Sequence, residues 1–212
     1  MKVLLDIFGY LSVLLRGLQL TFEALAVGGV VFLSCIARGV VDEALSKLLT
    51  RWLIWAAAML AGAQLCSLIL SSSILVESTG LRMEDVIGAG FWISGMLVIS
   101  GAVTLGILAR TAMARIACPL ACVMILAGSV MASHSVARVE HRGVLVPLTL
   151  AHHLASAAWI GGLPYLLVAL RHSRDTRSAG EIVSRSQPAS ASTCPAERND
   201  APITTVLMPR LL

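Results

Sequence analysis

The chain has 212 residues, 57% hydrophobic and 13% charged, with a mean hydropathy of +0.85. Soluble domains are about half apolar, so a water-soluble globule is excluded and a polytopic membrane protein is expected. The net charge of +4 and isoelectric point near 9.0 would suit a nucleic-acid binder, but the basic residues are scattered through candidate loops and a tail. With no basic face and no aromatic interleaving, nucleic acid is excluded as a partner, and a positive-inside loop bias explains the charge.

Met1 to Leu15 pairs Lys2 with a short apolar run, the outline of a signal peptide. Asp6 interrupts that run, Arg16 follows it, and no small-residue cleavage site comes next, so the segment is expected to be retained. It serves as an interfacial lead-in or a helical extension of the first span, near 17–37. Gln19 and Glu23 lie inside that span and are expensive in lipid. The second and third spans are expected near 52–76 and 86–109, the fourth near 116–133 and the fifth near 144–170, where Pro147 falls in the first turn and costs little. The expected fold is therefore all-α, a bundle of about five transmembrane helices over residues 1–170.

Beyond Leu170 the composition turns to Ser, Arg, Pro and Ala without a helical period, so residues 171–212 are expected to form a disordered polar tail. With the amino end outside, Arg38, Lys47, Arg51, Arg110, Arg115 and the start of the tail fall on the cytoplasmic side, as the positive-inside rule asks. The glycines and alanines recurring within the spans suit close helix packing. Cys35, Cys66, Cys118 and Cys122 fall within apolar segments and Cys194 in the tail, which is not a disulfide framework.

Three constellations carry chemical potential. The first joins His134, at the outer end of the fourth span, to His152 and His153 in the fifth. A short loop links these helices, so they are expected to be antiparallel neighbours. At 1.5 Å of rise per residue His152 lies roughly 12 Å below the end of its apolar run, too deep to reach bulk water. Met131 precedes His134 by three residues and Met124 precedes Met131 by seven, placing all three on roughly one face. Thioethers with imidazoles suit monovalent copper better than zinc, magnesium or calcium. His152 shares a face with Ser156 and Trp159 while His153 points about 100° away, so only one of the two candidates, His152 or His153, is expected to be a ligand. The bland alternative is neutral histidines bonded to neighbouring carbonyls, with methionine as core filler.

The second constellation is Cys118 and Cys122 in CPLAC, two thiols on one helical face that points away from the Met124 and Met131 side; buried cysteine is also a common small hydrophobe. The third is Glu23, a proton or cation group, or else a partner for Gln19 or a neighbouring helix. No nucleophile, acid and base pair or phosphate loop stands out, so an enzyme is not expected.

HHLASAAWIGGL, from His152 to Leu163, together with SHS around His134 and the opening RGLQLTFEALAVGGVVF, resembles the CopD family of bacterial copper resistance and copper uptake membrane proteins. The resemblance covers about residues 10 to 185 and places His152 at the family's histidine, because Trp159 follows it by seven. It implies copper binding or movement across the bacterial inner membrane, carried by His134 and His152, with a periplasmic copper-binding protein as a possible partner. The proposed sequence of events is capture of copper at the outer face by His134, assisted by Met131, then handover to His152 or His153. Family members resembling this chain continue with several more spans, whereas SQPASASTCPAERND does not look familial. A frameshift or premature truncation near Ser186 is therefore expected, with non-native sequence after residue 185. The rival reading is a haem-binding electron-transfer protein, since histidines on adjacent membrane helices can be axial ligands.

Overall fold

Long apolar runs in which every backbone polar group must be satisfied internally leave the helix as the available solution, and a computed structural model bears this out. It describes residues 2–36, 42–80, 82–133 and 142–186, and among them there are helices and no strand. In chain order these are α1 (Lys2–Val31) with a wide π-helical turn at Phe32–Ile36, α2 (Glu43–Thr79), the short α3 (Met83–Ile87), α4 (Gly90–Leu108), α5 (Ala114–Met131), α6 (Arg142–Ser156), a second π-helical turn at Ala157–Gly161, and α7 (Gly162–Ser186). Five stretches are long and apolar enough to cross a bilayer: Phe8–Ile36, Glu43–Thr79, Gly90–Leu108, Ala114–Met131 and Gly143–Arg174. This is the architecture of a multi-pass membrane protein.

Of the two alternatives for the lead-in before Gly17, the helical extension is the one found, since α1 runs without a break from Lys2. Two boundaries differ from expectation. The second span begins at Glu43 rather than near residue 52, because Asp42 caps the helix by accepting from the Leu45 N–H at 3.0 Å. Leu45, Leu49 and Leu53, spaced four apart, then bury one face of a charged first stretch. At the far end, the segment beyond Arg171 is not a disordered tail throughout. The helix runs on to Ser186, and no proline falls between Arg171 and Pro188. Residues 187–212 lie outside the described residues.

Met1–Ser173 form one unit, and its core comes from α1, α2, α4 and α5. Val27, Leu53, Leu60, Leu105 and Ile125 interdigitate there. Close approach of α4 and α5 rests on reciprocal glycines. A Cβ on Gly101 would lie 2.8 Å from the Ile125 side chain and 2.9 Å from the Ala121 carbonyl oxygen, and one on Gly128 would lie 2.7 Å from the Ser94 carbonyl oxygen. The second contact region sets Tyr165 beneath Gly29, with its ring stacked on Phe32 at 6.1 Å between centroids. Between these two regions α1 crosses the second π-helical turn with almost no gap, at Gly28 and Gly161.

Candidate intramembrane cation site

Hydroxyls in apolar helices ordinarily bond back to their own helix, and Ser12, Ser72, Ser73 and Thr149 each donate to the carbonyl four residues earlier. Ser129 does not. Its Oγ donates across the bundle to Glu23 Oε2 at 2.6 Å, a length typical of a hydroxyl donating to a carboxylate. The other carboxyl oxygen, Oε1, lies 3.3 Å from His153 Nδ1. Glu23 and Ser129 are 5% and 4% exposed, so a carboxyl group from α1 and a hydroxyl from α5 meet in a buried setting, with the half-buried imidazole of α6 at its edge. His153 sits ten residues into Gly143–Arg174, about 15 Å along the helix.

The arrangement has a definite chemical capacity. A carboxylate that takes the Nδ1–H of a histidine fixes the ring's tautomer and orientation and leaves Nε2 with its lone pair, the arrangement found behind many metal-ligating histidines. Ser129 in turn anchors the carboxylate. The group opens onto a cleft of about 570 Å³ whose lining includes Thr21, Glu23, His152, His153 and Ser156. His152 is exposed, with its ring edge-on to that of His153 at 6.3 Å between centroids. Two imidazoles and a carboxylate thus face one intramembrane cleft, although among the described residues no three metal-ligating side chains are already drawn together.

The other expected site residues fall elsewhere. His134, the centre of the SHS element, lies outside the described residues. Met131 is exposed and lines a different, apolar groove of about 730 Å³ between α1, α5 and α6, beside Cys35, Cys122 and Leu154. Cys122 and Met131 therefore share one groove, although their spacing of nine residues along α5 predicts separate faces. The groove is broad enough to span both stripes of α5. Cys118 is a free thiol in the core cluster, in keeping with cysteine as a small hydrophobe. Gln19 does not partner Glu23; it donates to the Ala63 carbonyl oxygen on α2 at 3.4 Å.

Ser129 escaped the sequence reading entirely, because nothing local separates it from the self-bonded serines. Its one signal is a buried acid elsewhere in the chain that needs a donor. No family model, curated protein or solved structure matches the chain.

Proposed function

We propose that this protein is a membrane carrier for a soft transition-metal cation, monovalent copper above all, with the cleft at Glu23, His152 and His153 as its intramembrane station. The observation that supports this reading is the relay from Ser129 to Glu23 to His153, which presents a preoriented imidazole nitrogen to a cleft at membrane depth. The resemblance of HHLASAAWIGGL to the CopD signature points to copper, and imidazole with thioether suits the monovalent ion. His134 and Met131 are the entry residues in this reading, and handover to His153, with His152 as its companion, carries the ion into the bundle. The membrane is then the bacterial inner membrane, with the amino end periplasmic and a periplasmic copper-binding protein as donor or acceptor.

The test is monovalent copper affinity of the purified protein by competition with a coloured chelator, with a visible spectrum recorded before copper is added. Glu23→Gln removes the carboxylate that orients His153 and is expected to weaken binding about 10- to 100-fold, the usual effect of losing such a supporting group. His153→Ala is expected to weaken it at least as much, and His152→Ala and His134→Ala to weaken it as well. Unchanged affinity in His153→Ala would sink the proposed station. An intense haem band at the outset would instead favour the electron-transfer reading.

A further inference from the structure

Away from the cation cleft, the end of the bundle formed by the start of α2 and the end of α4 holds a cavity of about 740 Å³. Its charged lining residues are all cations: Lys47 and Arg51 from α2 and Arg110 just beyond α4, with the hydroxyl residues Ser46 and Thr50 beside them. Lys47 pairs with Glu43 at 2.7 Å, whereas among the described residues neither Arg51 nor Arg110 is in an ion pair. Glu43 already offsets Lys47, but the two guanidinium groups at the cavity have no such partner among the described residues and need an anion to offset their charge, and two guanidinium forks with neighbouring hydroxyls match the oxygens of a phosphate.

The depth of the cavity identifies the source of that phosphate. Trp52 and Trp55 follow Arg51 on the same helix and are 43% and 65% exposed. Exposed tryptophans on a spanning helix mark the headgroup level, where an amphipathic indole is most stable. Arg110 reaches the same level from the other side, since α4 ends at Leu108. The opposite end of the bundle, with Glu77, Glu84 and Asp85 against Arg82, offers no comparable cluster of cations among the described residues. From these observations we infer that the cavity at Lys47, Arg51 and Arg110 binds the phosphodiester of an anionic phospholipid headgroup, with Trp52 and Trp55 seated beside the upper acyl chains. This site is independent of the cation cleft and does not rest on the copper reading.

The native tryptophans supply the assay. The protein is reconstituted in phosphatidylcholine vesicles containing brominated phosphatidylglycerol or brominated phosphatidylcholine, and fluorescence quenching is compared at equal mole fraction. A basic residue near the surface favours an anionic lipid by about fivefold, so the phosphatidylglycerol preference is expected to be about tenfold or more and to fall to near parity in Arg51→Gln with Arg110→Gln. Arg115→Gln, which removes an exposed cation outside the cavity, is expected to leave the preference in place. On the unaltered protein the preference is expected to weaken as salt rises. Equal quenching by the two lipids, a salt-independent preference, or the same loss from Arg115→Gln would overturn the assignment. Displacement of the brominated lipid by inorganic phosphate at matching concentration would overturn it in favour of a free-phosphate site.

Discussion

The crossing of α1 over the second π-helical turn allows the reach of packing into chemistry to be measured. A Cβ on Gly28 would lie 2.6 Å from the Gly161 carbonyl carbon and 2.7 Å from the Gly162 nitrogen, and it would also strike the Ala157 carbonyl oxygen. All three are backbone atoms, so no side chain can turn aside. Carbon atoms settle at about 3.5–4.0 Å, so Gly28→Ala must part the two helices by about 1 Å. Overpacking of this kind costs about 1–3 kcal/mol. The same displacement carries Glu23 away from His153, whose contact is already 3.3 Å and would leave hydrogen-bonding range. Gly28→Ala is therefore expected to lower both the unfolding midpoint in a denaturant titration and the copper affinity, the latter about tenfold. Gly101→Ala supplies the contrast: its nearest contacts are looser, 2.8 Å to the Ile125 side chain and 2.9 Å to the Ala121 carbonyl oxygen at the α4–α5 crossing, and it should destabilise while lowering affinity less than Gly28→Ala does. Gly62, where an added methyl would meet nothing within 4 Å, should accept alanine with no loss and a gain of up to about 1 kcal/mol from helix propensity. A Gly28→Ala protein with unaltered stability and affinity would refute the coupling of this crossing to the site.

Ser129→Ala leaves one carboxyl oxygen of buried Glu23 without its donor, and is expected to cost about 1–3 kcal/mol in the same titration; Ser72→Ala, which loses a bond within its own helix and one from the Trp92 Nε1–H, makes a useful comparison. At the start of α2, the hydrogen bond with His172 and then the Leu45 N–H hold the Asp42 carboxyl below its ordinary value of 3.8. Because that value is depressed, the stabilisation is present in full above 3.8 and is lost as the pH falls through the lower folded value. The protection of the Leu45 amide, its exchange rate taken relative to the intrinsic rate at the same pH, should accordingly fall on acidification and in Asp42→Ala, and protection indifferent to both would count against the cap.

The five spans were legible in the sequence because uncharged runs of sufficient length have few alternatives in lipid. Their ends were less so. Lys47 and Arg51 looked like loop charges, yet Leu45, Leu49 and Leu53 at four-residue spacing behind Asp42 already marked an amphipathic start to α2. The site was legible as residues and not as pairs. Glu23 and the two histidines stood out as costly in lipid, but which histidine meets the acid depends on a crossing between segments 130 residues apart. The family resemblance favoured His152, while it is His153 that lies against Glu23. Ser129 was invisible because its partner, not its neighbourhood, gives it a role.

The wide turn at Ala157–Gly161 also sets the phase of the helix it interrupts. His153 and Tyr165 are twelve residues apart, and on an unbroken α-helix they would project about 120° from each other. A π turn absorbs one extra residue, which brings the two to within about 20°. Both then address α1, His153 at Glu23 and Tyr165 at Gly29 and Phe32. Taking one residue out of this turn would leave the two side chains eleven apart on a regular α-helix, still within about 20° of each other, whereas tightening the turn at its present length would part them by about 120°. At this length the chain keeps its buried tyrosine and its acid-bound histidine on one side only by holding the turn wide.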